Sequence, residues 1–355
     1  MKFCIYGAGA IGGYLAVGLA LAGHEVCVIA RGAHLEAIKK QGLKLISQST
    51  APRRAAGASS DSLRCASVGA QGTEAQRTER IAHVAASDDP RQFGPQDFVV
   101  CALKAHQAYA AAASFAPLLG RSTAVVTAMN GIPWWYFYRE GGRFQGFHPR
   151  SVDEGGRQWR AIGPERAIGC VVDPACEVVA PGVIVHERFN RFTLGEPDGS
   201  SSSRVTALSK ALIDAGFDAP IRDNIRWNVW LKLSGNVCFN PISALTGATL
   251  DRIVGEPALR ALCKTMMLET RAVHEALQIR IPAEMMERRL NAAGSAAGHK
   301  MSMLQDLERG RPLEIDALVT AVQELGILTG VATPTVDTVL ALVQEKGRAA
   351  GLYAT

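Results

Sequence analysis

The opening of the chain, Lys2-Phe3-Cys4-Ile5-Tyr6-Gly7-Ala8-Gly9-Ala10-Ile11-Gly12, constrains the fold more than any other stretch. Residues 2–7 form a short apolar run ending in glycine, 11–21 is an Ala- and Leu-rich helical stretch, and 25–29 is strand-like again after Ala22-Gly23-His24. A glycine turn between a strand and a helix, with a second strand inside about 30 residues, is the context in which a G-x-G-x-x-G pattern binds a dinucleotide. Gly7 permits the tight turn, Gly9 lets the backbone approach a pyrophosphate, and Gly12 lets the helix pack close to the strand. The pyrophosphate would sit on unpaired N–H groups at the helix N-terminus, so Ala8, Ala10 and Ile11 belong to the same cradle. An ordinary glycine turn is the plain alternative, and the strand, turn, helix, strand context argues against it.

The end of the second strand selects the cofactor. It reads Ile29-Ala30-Arg31-Gly32, with no acid before Glu36. A carboxylate there would hydrogen-bond the free ribose hydroxyls of NAD and repel a phosphate, whereas Arg31 can pair with the 2′-phosphate of NADP. The expected cofactor is NADPH, with a solvated loop arginine as the alternative reading of Arg31.

At 355 residues the chain exceeds one compact core, and two domains are expected. Hydrophobic residues at 48% against 20% charged are the balance of a chain that buries a core. The net charge of +5 is spread without basic blocks, and the few aromatics (6%) do not interleave with basic runs, which argues against a nucleic-acid partner. Glycines break the first apolar run too early for a signal peptide, and no segment offers about 20 uncharged apolar residues for a bilayer span. A soluble cytoplasmic protein is expected. Cysteines at 4, 27, 65, 101, 170, 176, 238 and 263 include no Cys-x-x-Cys pair and no Cys/His cluster at zinc spacing, so they read as buried small hydrophobes and no metal is expected. Residues 51–80, without aromatics or Ile and rich in Ala, Ser, Gly and Arg, read as a poorly packed excursion or a mobile loop.

Strand signals resume at 97–103, followed by Lys104, and at 123–127, followed by Asn130-Gly131. Ligands of a doubly wound sheet bind beyond the carboxyl ends of its parallel strands, which is where Lys104 and Asn130 fall. Asn130 reads as a support for the nicotinamide ribose or the substrate, or else as an Asn-Gly turn. The aromatic run from Pro133 to Tyr138 reads as core or interface. Short β-rich segments at 167–172, 176–179, 182–186 and 191–194 are expected to extend the sheet as antiparallel strands, with His186 on a strand surface.

From about Ser203 helix periodicity takes over. Within it Lys232, Asn236 and Asn240 recur every four residues and stack on one helical face among apolar neighbours. Burying such a row is costly unless it meets a ligand or a partner, and a buried Lys among amides suits proton donation to a ketone during hydride addition. An interhelix hydrogen-bond ladder is the other reading. A second polar set runs from Lys300 to Asp306, and Glu314 opens a further amphipathic helix, where the helix dipole alone would favour an acid.

Taken in order, the glycine turn, Leu103-Lys104-Ala105, Asn130-Gly131, the Lys232/Asn236/Asn240-Pro241 segment, Ser302-Met303-Leu304-Gln305-Asp306 and Glu314-Ile315-Asp316 run over most of the chain. In these stations the chain resembles the ketopantoate reductases (2-dehydropantoate 2-reductases). The resemblance implies Lys232 as general acid, Asn236 and Asn240 as substrate contacts, Ser302 on the substrate carboxylate, and Glu314 on its hydroxyl or on the lysine. Lys104 and Asn130 would position cofactor and substrate in the cleft. It further implies an α/β fold, an N-terminal Rossmann-type dinucleotide-binding domain plus an all-α C-terminal domain, which is consistent with the change of periodicity. The division is expected at 1–200 and 201–355, the second part serving the substrate and dimerisation.

The implied activity is NADPH-dependent reduction of a 2-keto acid, ketopantoate, to (R)-pantoate on the route to pantothenate and coenzyme A. Residues 51–80 and 139–165, Leu250, and Trp134-Trp135-Tyr136 depart from the family pattern and bear on the substrate. A reductase of another branched or aromatic 2-keto acid is the alternative. A non-catalytic NADP-sensing protein is a third reading, against which the intact Lys232, Asn236, Asn240 and Glu314 set argues, because a sensor needs no proton donor. A homodimer is compatible with all three.

Overall fold

The computed structural model describes residues 1–48 and 77–353. Most of the 51–80 excursion, and Cys65 with it, lies outside the described residues. The first half runs β1 (Lys2–Tyr6), α1 (Ala10–Leu21), β2 (Glu25–Ile29), α2 (Gly32–Gln41), β3 (Leu43–Gln48), β4 (Arg77–Ala82), β5 (Ala85–Ser87), β6 (Gln96–Cys101), α3 (Ala105–Ala111) and β7 (Leu119–Ala128). It continues through α4 (Arg150–Asp153), α5 (Arg157–Ile162), β8 (Ala167–Val172), β9 (Ala175–Ala180), β10 (Val183–Arg188) and β11 (Phe192–Gly195). Helices follow: α6 (Ser203–Asp214), α7 (Ile225–Thr246), α8 (Leu250–Gly255), α9 (Pro257–Ala276), α10 (Ala283–Gly294), α11 (Ser302–Glu308), α12 (Ala321–Thr329) and α13 (Pro334–Ala349). The mixed α/β architecture, a Rossmann-like sheet followed by helices, is the expected one.

Seven strands form the main sheet in the order β11-β8-β7-β6-β1-β2-β5, parallel throughout except for β11, which runs antiparallel to β8. Alternate residues divide its two faces. Cys4, Tyr6, Cys27, Ile29, Val99 and Val125 join the core shared with the helical half, while Phe3, Ile5, Val28, Phe98, Val100 and Val126 pack under α1. The described cysteines are free thiols, and all but Cys176 are buried.

The hairpin at 175–188 departs from expectation. β9 and β10 do not extend the main sheet but belong to a second one, ordered β4-β3-β10-β9. Within it β3 and β10 are parallel, and the other neighbours antiparallel. Residues 77–80, expected in the excursion, are the start of β4. Of the four expected antiparallel segments, β8 also differs: it adds in parallel beside β7. The reason lies in α1, which carries no charged residue and has Gly12 to Leu19 buried all round. A helix apolar on every side must be covered on every side. The main sheet takes one face and the second sheet the other, where Ile184 packs so closely on Gly13 that a Cβ there would lie 2.5 Å from its Cδ1.

Helix α7 joins the halves, packing against α9, α10, α11 and α13 and also against β8. The aromatic run is core: Trp134, Trp135, Tyr136 and Phe137 are all buried. Trp135 Nε1 donates to Thr127 Oγ1 at 2.9 Å, Trp230 Nε1 to the Tyr136 hydroxyl at 2.6 Å, and Arg226 to the carbonyls of Tyr136 and Tyr138 at 2.7 Å each. The segment after β7 is thereby pinned to the first turns of α7. Helix α6 starts just past the expected division at 200/201 and packs its Val205, Leu208, Ala211 and Leu212 into the core beneath the sheet.

Candidate active site

Two clefts open at the carboxyl ends of the parallel strands. The first, about 730 Å³, is lined by Gly7, Ala8, Gly9, Ala30, Arg31 and residues of α3. Gly7 has φ +100°, the left-handed region that favours glycine. Its N–H and that of Ala8 both donate to the Ile29 carbonyl, at 3.1 and 3.2 Å, closing the turn onto β2. A Cβ on Gly12 would lie 1.9 Å from the Gly7 carbonyl oxygen, so helix and turn touch there. A Cβ on Gly9 would meet no protein atom within 4 Å. That bare stretch of backbone at the start of a helix is what a pyrophosphate needs, and a dinucleotide fits the residues present. Arg31, exposed, precedes the first turn of α2. Asp88, beyond β5, and His34 reach the same cleft and carried no sequence signal.

The second cleft holds about 290 Å³ and brings together Asn130, Lys232, Asn236 and Ser302 from β7's end, α7 and α11. Ile11 lines it too, so the glycine turn abuts both clefts. Lys232 Nζ donates to Asn130 Oδ1 at 2.8 Å and to the Val172 carbonyl. Burial lowers its pKa to about 8, with the Asp173 carboxylate working against that shift and the Arg289 guanidinium adding to it. Asp173 lines the cleft, and Arg289 Nη2 donates to the Lys232 carbonyl at 3.4 Å. Neither residue is legible in the sequence, because each lies far from Lys232 along the chain. Asn236 makes no side-chain hydrogen bond among the described residues and faces the cleft.

The third member of the row behaves differently. Asn240 is buried and does not line the cleft; its Oδ1 accepts from Ser302 Oγ at 3.1 Å and from the Met303 N–H at 3.2 Å. Helix α11 begins after Met301, which has no side-chain acceptor to cap it, so Asn240 takes that place. Lys104 and Glu314 also lie outside both clefts' walls. Lys104 Nζ donates to Asp306 Oδ2 at 2.6 Å and to the Pro312 carbonyl at 2.7 Å. Glu314 Oε1 accepts from the Ala105 N–H at 3.0 Å, and burial raises its pKa while that bond and Lys104 oppose the rise. Both therefore tie α3 to the helical half. His186 stacks on Tyr14 with ring centroids 4.4 Å apart and lines neither cleft. Among the described residues no cluster of His, Cys, Asp or Glu could hold a metal, and no helix is long and apolar enough to cross a membrane.

Known proteins match this chain over nearly its whole length. The family model "Ketopantoate reductase PanE/ApbA" matches residues 3–199, and "Ketopantoate reductase PanE/ApbA C terminal" matches 224–347. A 2-dehydropantoate 2-reductase of Mesorhizobium japonicum is 50% identical over 99% of this chain and all of its own length. A solved structure from Ralstonia solanacearum is 39% identical and superposes with a TM-score of 0.85 over 99% of both chains. The PanE/ApbA family ketopantoate reductase of Ralstonia eutropha follows at 27% identity and TM-score 0.78, covering 99% of this chain and 100% of its own. D-mandelate dehydrogenase, solved with NADH and anilino(oxo)acetate, shares the fold at 19% identity and TM-score 0.77, covering 99% of this chain and 100% of its own. With both halves matched in sequence and the whole chain matched in structure, the chain belongs to the ketopantoate reductase family.

Proposed function

We propose that this protein catalyses the NADPH-dependent reduction of ketopantoate to (R)-pantoate, the step toward pantothenate and coenzyme A. The observation that carries the reading is Lys232: an ammonium facing a small cleft, next to the glycine turn, with its proton made easier to give up by burial. Bound NADPH supplies the hydride. A lysine ammonium has three donors, and Asn130 and the Val172 carbonyl take two of them. The third is left to bond the keto oxygen and to deliver its proton there as charge develops. Asn236, without a protein partner among the described residues, orients the substrate from the next turn of α7. Ser302, exposed at the rim, turns its hydroxyl from Asn240 to the substrate carboxylate.

Arg31 reads the 2′-phosphate, and the N–H groups of Gly9 to Gly12 hold the pyrophosphate. Asn240, Lys104 and Glu314 serve the same site at one remove, by holding α11 and α3 in place, and the Glu314 charge helps keep Lys232 protonated. The division at 200/201, which follows the onset of helix periodicity, a cytoplasmic location and a homodimer belong to this reading. An NADPH-oxidation assay with ketopantoate beside other branched and aromatic 2-keto acids tests it. Ketopantoate should give the highest kcat/KM; a higher value for another keto acid reassigns the substrate, and NADPH binding without turnover of any of them leaves a sensor.

A further inference from the structure

His34 makes two hydrogen bonds that the site as described does not use. It lies in the first turn of α2, three residues after Arg31, and its ring borders the first cleft. The Gly182 N–H, in the turn between β9 and β10, donates to Nδ1 at 3.0 Å. That nitrogen therefore presents a lone pair, the ring proton sits on Nε2, and Nε2 donates to the Ala8 carbonyl at 2.7 Å. The Ala8 carbonyl and the Gly9 N–H belong to one peptide unit, which is planar and trans, so they point in opposite directions. Holding the carbonyl on the α2 side aims the N–H the other way.

This matters because of what surrounds it. The N–H groups of Gly7 and Ala8 are both engaged by Ile29, so that of Gly9 is the first in the turn able to meet a ligand. Glycine at 9 also leaves its own φ unhindered, with open space where a Cβ would be. Among the described residues, the hydrogen bond that the Ala8 carbonyl accepts comes from the imidazole.

We propose that His34 is a positioning residue for dinucleotide binding, clamping the Ala8 carbonyl so that the Gly9 N–H faces the pyrophosphate. The proposal rests on the reading of the first cleft as the coenzyme site. The hold extends to the second sheet, since the Gly182 carbonyl in turn accepts from the Lys44 N–H at 2.8 Å. The strand that carries the clamp's far end is thus fixed by the main chain, and the ring bridges two rigid elements.

The test is titration of the full-length protein with NADPH and with NADH, followed by coenzyme fluorescence, for the parent, H34Q and H34F. A glutamine amide offers an acceptor and a donor at a spacing close to that of the ring nitrogens, while phenylalanine fills the volume with neither. H34F should weaken both coenzymes by about tenfold, the worth of one hydrogen bond, and H34Q should stay within about threefold of the parent. Equal loss for both coenzymes is the signature, because the pyrophosphate is common to them and the 2′-phosphate is not. Loss confined to NADPH, H34Q as weak as H34F, or H34F binding like the parent overturns the role of His34. A parent that binds neither coenzyme overturns the cleft assignment, and the role with it. Should H34F prove unstable by thermal unfolding, H34A removes both bonds without the ring and carries the same expectation.

Discussion

A lysine in water keeps its proton to about pH 10. Lys232 is not in water: burial brings it to about 8, against the pull of Asp173. As the proposed acid of the reduction it must be protonated, so kcat/KM for keto-acid reduction should be level below that value and fall about tenfold per pH unit above it. The reverse oxidation needs the neutral amine and should rise over the same range. A reduction profile level to about pH 10 would remove Lys232 from this role. K232A should lower turnover by about 10²- to 10⁴-fold while NADPH binding is nearly unchanged, measured by stopped assay and by titration. At the other end of the coenzyme, R31A should raise the Kd for NADPH and leave that for NADH nearly alone, because on the proposed reading the exposed guanidinium before α2 pairs with the 2′-phosphate that NADH lacks. Equal losses for the two would show that Arg31 does not read the phosphate.

At the scale of elements, what the sequence makes legible is what neighbours along the chain decide. β1, α1 and β2 follow from a glycine turn between two apolar runs, and the helix of Lys232 from its period of four. The hairpin of β9 and β10 is legible as a hairpin, but alternation of side chains says nothing about which sheet edge receives it. That choice comes from α1, whose unbroken apolar surface needs a second cover. The turn after β7 shows a similar limit. Asn130-Gly131 reads as a turn or a ligand; the structure adds that the Ile132 N–H donates at 3.0 Å to the Ala317 carbonyl, in a π-helical stretch at Asp316–Thr320. A Cβ on Gly131, at φ +84°, would lie 2.2 Å from that carbonyl oxygen. G131A should therefore cost about 1–3 kcal/mol in urea unfolding. It should also lower kcat/KM by about 10- to 100-fold, since Asn130 can no longer hold Lys232 in place. Unfolding and kinetics both matching the parent would show that the turn tolerates displacement.

At the scale of the molecule, polar ties cross the two halves around the second cleft. Lys104 pairs with Asp306, Glu314 holds the Ala105 N–H, Arg309 reaches Glu177, and Arg188 Nη2 meets His299 Nδ1 at 2.9 Å. Lys104 and Asp306 are only 26% and 15% exposed, enough shielding for the pair to matter. D306N leaves Lys104 without its countercharge and should cost about 1–3 kcal/mol in unfolding. If the tie also sets the cleft, KM for the keto acid should rise more than kcat falls; no change in either stability or KM would make the bridge incidental. Much of the candidate site is readable from the chain alone: the glycine turn, the missing acid at the end of β2 where Arg31 stands, and the Lys232 and Asn236 pair are all local patterns of spacing and residue type. Which polar side chains reach the cleft, and which serve to hold others, is not. Asn240, Lys104 and Glu314 are polar residues set among apolar sequence neighbours, yet each finds its partner between 62 and 209 residues away, and Asp173, Arg289 and His34 enter the site with no motif at all. Local periodicity determines helices, strands and turns because backbone geometry repeats over a few residues; the tertiary structure decides the destination of each polar group, because a buried donor or acceptor goes where packing brings it a partner.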